Sequence, residues 1–170
     1  MYIADKYWNH YLGDTDDSLT LIDYLADKRK KVLTLGEIFS DLGFDQRDGN
    51  FAYSEEPITV EFQSMGEEYE DFYIEFYFAI DVMANLAAIL LECRKNGSVD
   101  LRELSGYDPE TPAPVITLTS TQKEDDILNQ ALKDFVAAPL DFDLSEMCSE
   151  EEMMEMAKVC EALRKELYGE

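Results

Sequence analysis

Phe72-Tyr73-Ile74-Glu75-Phe76-Tyr77-Phe78 is the stretch that decides the fold. Large apolar side chains stand at every second position, with Tyr73, Glu75 and Tyr77 between them. Successive side chains of a strand point to opposite faces, so the run predicts a half-buried β-strand with Ile74 and the phenylalanines inward. Ahead of it, Ile58, Val60 and Phe62 alternate in the same way with Thr59, Glu61 and Gln63. The connection carries Gly66, Glu67, Glu68, Glu70 and Asp71, which predicts an antiparallel hairpin with an acidic tip. Behind the strand the period changes. Asp81 opens a run that is apolar from Val82 to Leu91 except for Asn85, and Arg94, Lys95 and Gly97 follow. That run reads as a buried helix closed by glycine.

Working outward, helix signals dominate. Ser18 can cap a helix to about Lys28 with Leu21, Ile22 and Leu25 on one face, and Lys28 to Lys31 suit the negative end of its dipole. Thr34 with Glu37, Thr121 with Glu124 and Ser149 with Glu152 have the spacing of capping boxes. The helix after Thr34 carries Leu35, Ile38, Phe39 and Leu42 and stops at Gly43. The last helix carries Met153, Met156, Ala157, Cys160, Leu163 and Leu167 on one stripe. Val115, Ile116 and Leu118 suggest a further short strand after a loop with Pro109, Pro112 and Pro114. The layout predicts an α+β fold over residues 1–170 as one domain: an antiparallel, hairpin-based sheet packed by about five helices. A three-layer α/β arrangement is the alternative, because a helix separates the long strand from the one near Val115.

Charge sets the function class. Among 170 residues, Asp plus Glu number 38 and Lys plus Arg 14, a net charge of −24. The excess is spread evenly: residues 1–85 hold 19 acids and 6 bases, residues 86–170 hold 19 and 8. Such a field repels nucleic acid and anionic membranes and suits a basic protein partner. The longest apolar run falls well short of the roughly 18 residues of a membrane span. No secretory signal is visible, and Cys93, Cys148 and Cys160 make a poor disulfide framework, so a reduced cytoplasmic protein is expected.

Motifs for phosphate loops, dinucleotides and nucleophile elbows are absent from the sequence, and His10 is its one histidine, so no cofactor and no catalytic set is predicted. Asp14, Asp16 and Asp17 resemble the opening of a calcium loop, but Leu19 and Leu25 stand where that loop needs glycine and glutamate. As acids at the N-terminal end of the helix they suit its dipole. Glu67, Glu68, Glu70 and Asp71 have no dipole to serve and are interleaved with Tyr69 and Tyr73. Tyrosine buries area while offering a polar handle, so this cluster, extended by Glu75, is the first candidate partner-binding surface. Asp14, Asp16 and Asp17 are the second.

The opening run Tyr7-Trp8-Asn9-His10-Tyr11-Leu12-Gly13-Asp14-Thr15-Asp16-Asp17-Ser18-Leu19, continuing to Asp23-Tyr24-Leu25, resembles the start of immunity proteins from bacterial polymorphic-toxin and contact-dependent growth inhibition systems. The resemblance covers about the first 25 residues, with overall size and acidity, and carries over no functional residue. It implies a cytoplasmic, non-enzymatic protein that binds and neutralises a cognate toxin domain, in many such systems a basic nuclease. Alternatives are a DNA-mimic inhibitor of a nucleic-acid-binding protein and an enzyme working with carboxylates alone. The sequence carries no signal for an oligomeric state.

Overall fold

The computed structural model describes residues 1–61, 73–105 and 114–169. Seven α-helices and two small sheets are present among them: α1 (Tyr2–Lys6), α2 (Asp16–Asp27), β1 (Val32–Thr34), α3 (Leu35–Leu42), β2 (Ile58–Glu61), β3 (Tyr73–Phe76), α4 (Ala79–Asn96), β4 (Val99–Asp100), α5 (Arg102–Ser105), β5 (Val115–Thr119), α6 (Gln122–Ala137) and α7 (Glu150–Tyr168). The fold is α+β. Helices α1 and α5 are single turns, and the five longer helices are those marked by periodicity and caps.

The alternating run forms β3, paired antiparallel with β2 in a register that sets Ile58 opposite Phe76 and Val60 opposite Ile74. Phe76 is fully buried, edge-on to Tyr24 of α2 with ring centroids 6.2 Å apart, while Tyr73 and Glu75 face solvent. Residues 62–72, with the acids predicted at the hairpin tip, lie outside the described residues. The strands do not form one sheet. β5 lies between β1, which it pairs in parallel, and β4, which it pairs antiparallel, and the hairpin stands apart. Strands β1 and β4 hold three and two residues, too few for a period to register in the sequence.

Helix α4 is the axis of the core. Every residue from Ala79 to Cys93 is buried, because α1, α2, α6, α7 and β5 pack around it. A helix so enclosed must satisfy its polar side chains internally. Glu92 accepts from the Tyr2 and Ile3 amides, both at 3.2 Å, and so caps the free first turn of α1. Asn85, the break in the apolar run, accepts from the Gly13 amide and donates to the carbonyl and Oδ1 of Asp81. Gly13 has φ +86°, and a Cβ there would come within 2.6 Å of the Trp8 indole, so this close approach requires glycine.

Two helix starts match their signals: Thr121 with Glu124 and Ser149 with Glu152 form reciprocal capping boxes. Thr34 caps α3 through the Glu37 amide, and Gly43 closes it at φ 73°. Helix α2 begins earlier than Ser18. Thr15 is its cap, accepting from the Ser18 amide at 3.1 Å, and the Ser18 hydroxyl accepts from the Thr15 amide at 3.0 Å. Ser18 is thus the third residue of the helix, and Asp16 and Asp17 fall in its first turn.

Candidate functional site

The start of α4 is where distant segments meet. Phe78 is the N-cap of α4 and has no side-chain acceptor for the exposed amides there. Asp17 supplies one from another helix: its two carboxylate oxygens accept from the Tyr77 and Phe78 amides, each at 2.8 Å. A third segment, Phe142 to Cys148, closes over this junction. The Asp143 amide donates to the Ala52 carbonyl and the Asp143 carboxylate accepts from the Ser54 amide, which brings residues 52–57 to the same side.

Between these segments lies a continuous groove of four adjoining clefts. The first, about 500 Å³, is bounded by Tyr11, Asp14, Thr15, Asp81, Cys148 and Met156, among others. The second, about 460 Å³, shares Thr15, Asp81, Leu144 and Cys148 with it and adds Asp16, Asp17 and Tyr77. The third, about 450 Å³, shares Asp16 and Tyr77 with the second and runs along the outer face of β3 past Tyr73, Glu75 and Asp23. The fourth, about 290 Å³, shares Tyr77 and Phe78 with the second and is flanked by Tyr53, Glu55, Glu56, Asp143 and Glu146. Among the described residues eleven carboxylates line the four clefts and no lysine or arginine does, so the negative field along the groove is not neutralised from within it. Bases beside it are engaged: Lys158 pairs with Glu155, and Arg47 binds the Asn50 and Tyr53 carbonyls and the Ser54 hydroxyl.

Burial raises the pKa of Asp17 against the pull of the Tyr77 and Phe78 amides, and burial raises Asp23 and Asp143 as well. Asp81 shifts furthest. It is 1 % exposed, and burial pushes it up to about 7; the Asp17 charge adds to this while Thr15 and Asn85 oppose it. By contrast, Arg102 holds Asp100 below the usual carboxylate range and Arg164 does the same for Glu161.

The two surfaces singled out in the sequence converge here. Asp14 and Asp16 are exposed on the groove wall, and Asp16 shares the third cleft with Tyr73 and Glu75. Asp17 is buried and committed to the start of α4, so it braces the groove from beneath. Glu67, Glu68, Tyr69, Glu70 and Asp71 lie outside the described residues. Asp81, Glu55, Glu56 and Glu146 were not signalled as site residues. The one local hint of Asp81 was an acid opening an otherwise apolar helix, four residues before Asn85. Exposed tyrosines mark the groove along its length: Tyr11 at 44 %, Tyr53 at 56 %, Tyr73 at 54 % and Tyr77 at 49 %. Tyr11 also holds a positive φ of 71°, a conformation that costs a tyrosine about 1–2 kcal/mol. Among the described residues no group of three His, Cys, Asp or Glu side chains could hold a metal ion.

An acidic, tyrosine-lined groove on a small α+β scaffold is the kind of surface with which one protein recognises another. The class has a family: the sequence profile described as Immunity protein 68 matches residues 2–167, and the chain belongs to that family. It is therefore an immunity protein of a toxin system, with a toxin protein as its partner. Comparison with curated proteins and with solved structures gives no match. Among the described residues no helix is long and apolar enough to cross a membrane.

Proposed function

We propose that the protein neutralises a basic toxin domain in the cytoplasm by covering the domain's cationic surface with the acidic groove. The observation that carries the reading is the groove's charge: eleven carboxylates without a lysine or arginine among the described residues that line it. A surface of this kind attracts a basic domain and raises its association rate, and the exposed tyrosines add contact area and hydroxyl groups where the two proteins meet. A nuclease fits best as the toxin, since a domain that grips polyanionic nucleic acid carries the complementary positive field. Release of the toxin between neighbouring cells, as in contact-dependent growth inhibition, places the need for protection in the cytoplasm. No catalytic step is assigned to the chain.

The test is titration of the cognate toxin domain with this protein, with nucleic-acid cleavage as the readout. Complete inhibition at one equivalent, with an association rate that falls steeply between 50 and 500 mM salt, is expected. Salt-independent association, or full cleavage activity in the presence of excess protein, would refute the reading.

A further inference from the structure

Asp81 has a vacant oxygen, and the reason is structural. It is the third residue of α4, where an acidic side chain ordinarily reaches back to the N-cap amide. That amide, on Phe78, already donates to Asp17. Asp81 Oδ1 accepts from Asn85 Nδ2 at 2.9 Å, and Oδ2 is buried with no donor within hydrogen-bond distance; the Thr15 hydroxyl favours the carboxyl's charge without closing such a bond. The carboxyl borders both the first and the second cleft, at the point where they meet. A buried carboxylate oxygen without a donor is costly, and a charged donor is the group that satisfies it best.

We propose that the groove floor at Asp81 is a socket for one lysine side chain of the toxin domain, whose ammonium donates to Asp81 Oδ2. This deepens the reading of the groove as a site for a basic partner and rests on it. The geometry selects lysine over arginine. Asp81 has one free oxygen, so its carboxyl cannot take a guanidinium by two oxygens side by side, whereas an ammonium can share its three protons between Asp81 and separate acceptors around it. Asp81 is 1 % exposed, so little of it can be reached from the clefts, which suits a slim methylene stem with a compact charge. Leu144, Met153 and Met156 on the cleft walls give that stem apolar surface to lie against. The Thr15 hydroxyl and the Asp14 and Glu152 carboxylates, which line the same cleft, provide further acceptors for the ammonium protons.

The probe is n-butylammonium chloride, a lysine side chain without a backbone, titrated into the full chain at constant ionic strength. Tetramethylammonium, which has the charge but no N–H donor, is the control. Amide NMR shifts of Gly13, Asp81, Val82 and Asn85 are the readout. Saturable shifts confined to this cluster are expected, with tetramethylammonium about tenfold weaker or without saturation. Asp81→Asn keeps the side-chain shape and should abolish saturation, its fold being checked by the unchanged spectrum elsewhere. Equal response to both cations, or saturation unchanged in Asp81→Asn, overturns the socket. Against the cognate toxin domain, Asp81→Asn should speed dissociation about thirtyfold or more and leave association nearly unchanged. Unaltered dissociation overturns the lysine assignment even if the acidic groove stands. The groove reading fails separately, through salt-independent association of the unaltered protein. A paired change at the rim, Asp16→Asn with Glu75→Gln, should slow toxin association and leave butylammonium binding intact; loss of both together overturns the socket as a distinct site.

Discussion

Asp81→Asn should stabilise the protein at pH 8 and at most weaken it slightly at pH 4.5, and the size of each effect follows from the geometry. A carboxyl that titrates near 7 when folded and near 3.8 when unfolded carries about 4 kcal/mol of destabilisation once ionised. Because its folded pKa is the higher, the native protein holds more protons than the unfolded chain between pH 3.8 and about 7. Stability therefore falls as pH rises through that window and levels off above it. The amide keeps an oxygen for Asn85 Nδ2 but turns Oδ2 into an unpartnered buried NH₂, at a cost of about 1–2 kcal/mol. The variant should gain about 2–3 kcal/mol at pH 8 and lose no more than about 1 kcal/mol at pH 4.5, where about 1 kcal/mol of the ionisation penalty is already present, so the two curves converge or cross toward acid pH. Urea denaturation at pH 4.5, 6, 7 and 8, followed by fluorescence of the buried Trp8, measures both. Asp17, Asp23 and Asp143 also titrate above their usual range, but they are present in both proteins and cancel in the difference to first order. Parallel stability curves across pH 5–8 would show that Asp81 is not held near 7 and would refute the reasoning.

Phe76→Ala removes a fully buried ring packed on Tyr24 and should cost about 3–5 kcal/mol by urea denaturation; a loss under 1 kcal/mol would mean that β3 does not anchor the hairpin. Asp17→Ala leaves the Tyr77 and Phe78 amides without their acceptor and should cost about 2–4 kcal/mol, with faster hydrogen exchange at those two amides than elsewhere in α4. Tyr11→Gly relieves a positive φ and should be no less stable than the unaltered protein by thermal melting, while its complex with the toxin domain dissociates faster. With a net charge of −24, the melting temperature should rise between 10 and 200 mM NaCl; a flat curve would mean that self-repulsion is negligible.

How much of this was legible in the sequence depends on the range of each interaction. The alternation at Tyr73–Phe76 is local, so the strand and the burial of Phe76 could be read directly. The capping boxes at Thr121 and Ser149 span three residues and were equally plain. Strands β1 and β4 were missed because so few residues show no period, and they exist by virtue of their pairing with β5. Asp17 was read as serving the dipole of its own helix. It does lie in the first turn of α2, but its oxygens cap α4, and no local pattern announces a contact between residues 61 positions apart. The vacancy at Asp81 is a consequence of that contact and so was illegible for the same reason. Part of the candidate site is legible in the sequence. Asp14, Asp16, Tyr73 and Glu75 were singled out as two separate surfaces, and the fold of α2 against β3 joins them into one.

The central claim, that the toxin domain docks in the acidic groove, is tested most directly by binding kinetics with two charge-matched variants. One replaces Asp14, Asp16 and Glu75, on the groove, by their amides. The other replaces three exposed acids that line none of its clefts, Asp126, Asp134 and Glu151. Both lose three negative charges, so any effect of net charge alone is common to them. Docking in the groove predicts association with the cognate toxin domain slowed about tenfold or more by the first set, a shallower salt dependence, and little change from the second. Equal effects from the two sets, or a larger effect from the second, would contradict it.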